Sequence, residues 1–393
     1  MTTIEDRLRD AYRAAAETIQ PETIPDLPGG VRPARSRRAR ALIPLAAAAA
    51  VTAIVTALAV ASPLIGSRNG HRAGTPALPP GVPRFYVEAR AYSTESALQV
   101  YQTATGKVVA IIKPPSRMYF DSQVVATARD HTFVTAASPG SGLGSPKRCV
   151  TQFYSFQLND DGQPGPLIPL HITVPGEEVG RANTISVTPD GRRIAYATDF
   201  GYCPGLARVP AEVGVISVPT RQVRFWTLGQ QDIPAVFGVA LSADGSQLAI
   251  TRFAQLNSHS RSLTFAAQIL PTSAPPGPVD QLGRVVFPSA FWVALNADGR
   301  LLYACHPAPG RRGGVAYEVY SIASGQRQVI ASFPSHASAL CGASLDPSGR
   351  YLLIQLIPSD RLVVVDLRTR QRRYLPPGHS LLNYGGWPRS IAW

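Results

Sequence analysis

The side chains able to do chemistry are few and scattered. The seven histidines, His71, His131, His171, His259, His306, His336 and His379, show neither HxH nor HExxH spacing, and none stands beside a cysteine pair at metal-ligand spacing. No resident metal or cofactor is therefore expected. Cys305-His306 comes nearest to a ligand pair, but neighbours at a strand end point to opposite sides, so a disulfide sulfur followed by a loop histidine is the expectation. The glycine-rich stretch SPGSGLGSP at 138–146 holds neither a GxSxG elbow nor a phosphate loop ending in Gly-Lys-Ser/Thr, and reads as a rim loop. Asp160, Asp161 and Gly162 lack the ligand series and closing glutamate of a calcium loop, and read as a hairpin turn. With no catalytic constellation in view, the expectation is a protein that is not an enzyme.

The elements that would position such residues are set by an internal repeat. SVTPDGRRIAYA at 186–197, ALSADGSQLAIT at 240–251, ALNADGRLLYAC at 294–305 and SLDPSGRYLLIQ at 344–355 share one pattern, with Gly191, Gly245, Gly299 and Gly349 spaced 54, 54 and 50 residues apart. A decayed copy, ATARDHTFVTAA, occupies 126–137. Each copy is an apolar run, a tight turn and a second alternating run, in which the glycine supplies the positive φ that closes the hairpin. Further strand-like pairs follow, such as 213–228 and 361–375, so each period supplies four short antiparallel strands and no helix. That is the signature of propeller blades, an all-β architecture.

Complete units start near 119, 184, 236, 290 and 340. PRFYVEA at 83–89 lacks an innermost partner, and RSIAW at 389–393 reads as a first strand whose hairpin never arrives. Joining the two ends closes a six-bladed ring, with seven blades as the alternative count.

The turn patterns TPDGRRIAY and DPSGRYLLI resemble the repeat of TolB-like, WD-repeat-like propellers, well over 180–375 and loosely over 83–180. No copy ends in Trp-Asp, and the period exceeds that of WD repeats. The whole layout is also similar to that of actinobacterial membrane proteins with an extracytoplasmic propeller, some of which work with sigma factors. That resemblance implies a cytoplasmic sigma factor as partner and carries over no binding residues.

The four cysteines, Cys149, Cys203, Cys305 and Cys341, all follow residue 66 and suit an oxidising compartment. Strand alternation puts them near one rim of the disc. Cys149–Cys203 and Cys305–Cys341 are expected among three connectivities, the alternative being free buried thiols.

Residues 42–65 carry no charge, and a helix of that length rises about 36 Å, enough for a hydrocarbon core of about 30 Å. Arg32, Arg35, Arg37, Arg38 and Arg40 precede it and place the N-terminus in the cytoplasm. Cleavage as a secretory signal after Ala59-Val60-Ala61 is the alternative, against which stand the 40-residue lead and the long apolar run. Within the leader, Ile4, Leu8, Tyr12 and Ile19 fall on one face of a short amphipathic helix that needs a partner or a membrane surface to be stable. The expected organisation is a cytoplasmic segment at 1–40, a transmembrane helix at 41–65, a Gly/Pro linker at 66–82 and an extracytoplasmic propeller at 83–393.

The formal charge of +13 is almost wholly arginine and is spread through the repeats rather than gathered in a stripe with aromatics, so nucleic acid is not an expected partner. The leading expectation is a membrane-anchored propeller that binds an extracytoplasmic protein or ligand and signals through the span. The alternatives are an envelope interaction module without signalling, and a propeller enzyme acting on a sugar or lactone.

Overall fold

The computed structural model describes residues 78–393 apart from 91–95, 129–130, 140–149, 176, 179–183, 200–211, 229–235, 256–262, 309–313, 335–340, 357–360, 377–389. The helix face at Ile4, Leu8, Tyr12 and Ile19, the arginines at 32–40 and the span at 41–65 lie outside the described residues. Among those described, no helix is long and apolar enough to cross a membrane.

The described chain is a six-bladed β-propeller. Strands β1 (Phe85–Arg90), β2 (Ala97–Gln102) and β3 (Val108–Ile112) come first in sequence but belong to the last blade. Blade 1 is β4 (Met118–Ala126), β5 (Thr132–Pro139), β6 (Val150–Gln157) and β7 (Ile168–Pro175). Blade 2 comprises β8 (Glu177–Glu178), β9 (Ile185–Val187), β10 (Arg193–Asp199), β11 (Glu212–Ser217) and β12 (Gln222–Thr227), with β8 and β9 pairing successive parts of β10. Blade 3 is β13 (Val236–Leu241), β14 (Gln247–Gln255), β15 (Leu263–Pro271) and β16 (Arg284–Pro288), with the one-turn helix α1 (Val279–Leu282) before its last strand. Blade 4 is β17 (Trp292–Leu295), β18 (Leu301–Pro307), β19 (Val315–Ser321) and β20 (Arg327–Phe333). Blade 5 is β21 (Gly342–Leu345), β22 (Tyr351–Leu356), β23 (Arg361–Asp366) and β24 (Arg372–Tyr374). Strand β25 (Ile391–Ala392) pairs with β1 at Val87↔Ala392 and Glu88↔Ile391, so the two ends complete blade 6 together, as the orphan strand requires. Residues 78–82, expected as linker, already pack on blade 5: Leu78 and Val82 join its core, and Tyr351 Oη donates to Pro80 O at 2.7 Å.

Why the repeat glycines recur is visible in the turns. Gly191, Gly245, Gly299 and Gly349 have φ of 71°, 68°, 67° and 71°, and each donates its N–H to the carbonyl three residues back at 2.8–3.0 Å. The first turn residue accepts a side-chain bond from the backbone five residues on, as in Arg193 N to Thr188 Oγ1 at 3.0 Å, Gln247 N to Ser242 Oγ at 2.9 Å and Leu301 N to Asn296 Oδ1 at 2.8 Å. In blade 5 the roles are exchanged: Asp346 stands where Thr188 does and Ser348 where Asp190 does, yet the hydroxyl-to-carboxylate bond survives. Two substitutions separate conformation from packing. An added Cβ at Gly349 meets nothing within 4 Å, so Gly349→Ala should cost only the left-handed backbone, about 1 kcal/mol. At Gly245 the Cβ would fall 2.5 Å from Arg193 Cδ, so Gly245→Ala should lower the melting temperature visibly more; equal shifts would show that Arg193 swings aside freely.

Part of the arginine excess is structural. Arg224 Nη1 donates to Thr272 O at 2.8 Å, Arg193 Nη1 to Gly245 O at 2.8 Å, and Arg284 Nη2 to Ile322 O at 3.4 Å, each bond crossing from one blade to the next. Arg372 crosses in the opposite sense, from blade 5 back to blade 4, donating to Ser332 O at 3.2 Å with its guanidinium 5.1 Å from the Phe333 ring centre. The disulfide Cys305–Cys341, with Cα atoms 6.1 Å apart, joins β18 of blade 4 to the entry of β21 in blade 5. Cys149 and Cys203 lie outside the described residues.

Candidate functional site

Each innermost strand is hydrogen-bonded on one side only, so β4, β9, β13, β17, β21 and β25 turn their free edges toward the axis. They line a cavity of about 320 Å³, entered beside the turns at Pro189, Ala243, Asn296–Ala297 and Asp346–Gly349. Its side chains are mostly apolar, among them Val125, Leu241, Trp292 and Ile391, with Ser186, Asn296, Ser344, Asp346 and Ser348 as the polar members.

Several of these free edges are met by the neighbouring blade. Ser186 Oγ accepts Leu241 N at 3.0 Å, Ser390 Oγ accepts Val124 N at 3.1 Å, and Gln123 Oε1 accepts Thr184 N at 3.1 Å. Asp346 is buried and occupied by its own turn, accepting Ser348 N at 3.1 Å and Tyr351 N at 2.5 Å. Beside it Tyr303 lines the cavity, its hydroxyl pushed above the usual phenol range by burial and then by the charges of Asp298 and Asp346. The wall is therefore preformed, and what it offers a ligand is apolar surface, turn hydroxyls and backbone edges.

Two pairs of titratable side chains sit away from the cavity, and composition and spacing gave no sign of either. In blade 2, Tyr196 Oη donates to Glu212 Oε1 at 2.8 Å, and the Tyr196 ring lies so close over Gly214 that a Cβ there would meet it at 2.3 Å. Thr198, paired with Glu212 across the strands, keeps a buried hydroxyl without a hydrogen-bond partner among the described residues. Burial pushes the Glu212 carboxyl up, and the Tyr196 bond only partly pulls it back. Burial, then the charge and hydrogen bond of Glu212, push Tyr196 far above the phenol range. A carboxyl raised in the folded state stabilises most below its unfolded value near 4.5, and that contribution is lost as pH rises through the raised folded value. Glu212→Gln keeps an acceptor for Tyr196 and should flatten this decline in melting temperature above pH 4.5; an unchanged pH profile would show that Glu212 is not its source.

In blade 4, His306 stands on β18 rather than in a loop, facing Phe287 of blade 3 at 5.3 Å while Cys305 faces blade 5. Its Nδ1 is 2.8 Å from Pro307 O, and its Nε2 lies 3.0 Å from Glu318 Oε1 but off the direction of a hydrogen bond. No group of three or more His, Cys, Asp or Glu suited to a metal occurs among the described residues. The stretch at Asp160–Gly162 is a turn, as expected: Asn159 Oδ1 accepts Asp161 N at 3.0 Å and Gln163 N at 2.8 Å. Of the other residues singled out in the sequence, Cys305 and Cys341 are brought together, while Cys149, Cys203, Arg32, Arg35, Arg37, Arg38 and Arg40 lie outside the described residues.

No protein-family model matches the chain, and comparison with curated proteins returns no match. Among solved structures, the tricorn protease aligns with a TM-score of 0.46 and 11% identity over 77% of this chain, which spans only 30% of that one. The periplasmic gluconolactonase of Pseudomonas aeruginosa aligns at 0.43 and 15%, over 78% of this chain and 97% of that one. An oligogalacturonate lyase in complex with manganese aligns at 0.40 and 11%, over 73% and 71%. At these identities the likeness speaks to the fold alone. It corrects one expectation: the last two are propeller enzymes, so the lack of a recognisable catalytic motif gives no ground for excluding catalysis here.

Proposed function

We propose that the propeller is the binding head of a single-pass membrane protein, taking a protein or small ligand at the axial cavity and reporting its occupancy through the span to a cytoplasmic partner such as a sigma factor. The observation that carries the binding part is the preformed 320 Å³ cavity, to which all six blades contribute. The anchoring part is supported by the uncharged run at 42–65 with its arginines on one flank, and the signalling part by the helix face at Ile4, Leu8, Tyr12 and Ile19.

Affinity capture from detergent-solubilised native membranes tests this, comparing the intact chain with one whose residues 4–19 are scrambled while Arg32–Arg40 are kept. A cytoplasmic protein retained only by the intact chain is the expected result. Identical captures by both forms would leave a binding head without signalling. Mass spectrometry of the extracted protein should recover peptides from before Ala61; their absence would mean cleavage and end the anchored reading.

A further inference from the structure

A second cavity, of about 800 Å³, opens between blades 2 and 3 and shares no lining residue with the axial one. Blade 2 contributes β10, β11 and β12 to its walls, and blade 3 the turn before β14 and the residues after β15. Five hydroxyl side chains, Gln222, Asp244 and two arginines line it, and its two apolar members are Val215 and Val223. Such a wall has little to offer an apolar body and much to offer one that carries hydroxyls.

Arg193 and Arg224 stand on different strands, β10 and β12, so the sheet and not a run in the sequence brings them together. Thr272 is where they meet. Its Oγ1 donates at 2.7 Å to Gly245 O, the carbonyl that also accepts Arg193 Nη1 at 2.8 Å, and its own carbonyl accepts Arg224 Nη1 at 2.8 Å. A carbonyl positions a guanidinium without neutralising it, and most N–H donors of each remain for a ligand. Both arginines are exposed, and neither pairs with a carboxylate among the described residues. Two like charges held at one residue repel, and an anion between them relieves that repulsion.

The one carboxylate of the wall is placed for a different task. Bonds to Asp244 from Ser242 Oγ at 2.6 Å, Ser246 N at 2.9 Å and Ser246 Oγ at 2.9 Å all reach Oδ1. The bonds from Ser242 and then Ser246 hold its carboxyl below the usual range, so it is ionised and Oδ2 is left to accept a hydroxyl. Gln222 and Ser273 are exposed, and their side chains make no hydrogen bond among the described residues. Among anions, a carboxylate is filled by one forked guanidinium, whereas a phosphate monoester brings three oxygens and a charge of about −2, the match for two arginines.

We propose that this cavity binds a sugar phosphate, with the phosphate between Arg193 and Arg224 and the ring hydroxyls toward Asp244, Gln222 and Ser273. The site is independent of the axial cavity and of residues 1–77, so its failure would leave the binding reading of that cavity untouched.

Calorimetry of the full chain in a polyoxyethylene detergent tests this with glucose 1-phosphate and glucose 6-phosphate, against glucose, glucuronate and inorganic phosphate. At least one sugar phosphate should bind about tenfold or more tighter than each of the three references. Arg193→Gln/Arg224→Gln should weaken that binding about tenfold or more and flatten its salt dependence, whereas Arg361→Gln/Arg368→Gln in blade 5 should change it less than about twofold. Gln222→Ala/Ser273→Ala should bring the sugar phosphate down toward inorganic phosphate while leaving phosphate affinity as it was. This second variant removes no bond of the fold and decides the matter if loss of the two arginines prevents folding. Inorganic phosphate binding as tightly, which would mean an adventitious ion only, overturns the proposal. So does glucuronate binding as tightly, no binding of either sugar phosphate, or either cavity variant leaving the affinity unchanged.

Discussion

A chain ending at residue 389 should lose its cooperative thermal transition or unfold at far lower temperature, because removing four residues opens the ring. Strand β25 is the innermost strand of blade 6, and no other segment among the described residues pairs with the inner edge of β1. Ile391, Ala392 and Trp393 are buried, and Trp393 packs in one cluster with Tyr86 and Tyr101 of blade 6 and Tyr351 of blade 5. Ser390 ties the strand both to its own blade and to blade 1: its carbonyl accepts Ala89 N of β1 at 3.0 Å, and its hydroxyl both accepts Val124 N and donates to Val124 O, at 3.1 and 3.0 Å. The Trp393 side chain alone is worth about 3–5 kcal/mol by the usual cost of emptying an aromatic core position. The truncation should therefore exceed about 5 kcal/mol, comparable to the whole stability of many domains. Ser390→Ala is the graded control and should cost about 1–3 kcal/mol, since it leaves a buried N–H unpaired. A truncated chain that melts within a few degrees of the intact one would mean that blade 6 closes without β25.

The second large effect is expected at the disulfide between blades 4 and 5. Cys305 and Cys341 are buried and 36 residues apart, and linking a loop of that length removes denatured-state entropy worth about 4 kcal/mol. The double variant Cys305→Ala/Cys341→Ala should be destabilised by roughly that amount, measured by chemical denaturation. Adding a reductant should shift the intact protein toward the double variant and leave the variant where it is. A reductant that moves both equally would place the redox-sensitive element elsewhere. Because the link bridges consecutive blades, the loss should appear first as local opening between them, detectable as faster amide exchange in β18 and β22 than in β5 and β10.

Much of this architecture was legible without coordinates, and the reason is local. A turn of the form Thr-Pro-Asp-Gly or Asp-Pro-Ser-Gly needs a positive φ at one position and a side-chain oxygen at another, so it leaves a pattern that survives even when Asp and Ser trade places. Once four such turns are aligned, strand count and blade count follow, and an unpaired first strand demands a partner from the far end. The pairing of Cys305 with Cys341 could be read because both cysteines abut strands of known register. The turn at Asp160–Gly162 followed from its residue types.

What the sequence could not disclose depends on side chains that approach across blades. His306 was expected in a loop and lies on a strand, since nothing in the repeat fixes how far β18 runs. The Glu212–Tyr196 pair was invisible because burial, which raises that carboxyl, is a property of the packed blades and not of the residues themselves. The exclusion of catalysis failed for a similar reason: a motif search registers residues close in sequence, whereas a propeller assembles its axial site from strands about one blade apart. Charge shows the contrast most clearly. Sequence alone established an arginine-rich chain, and only the closed ring decided that Arg193, Arg224, Arg284 and Arg372 brace neighbouring blades, because curvature and register set which guanidinium groups meet a carbonyl and which meet water.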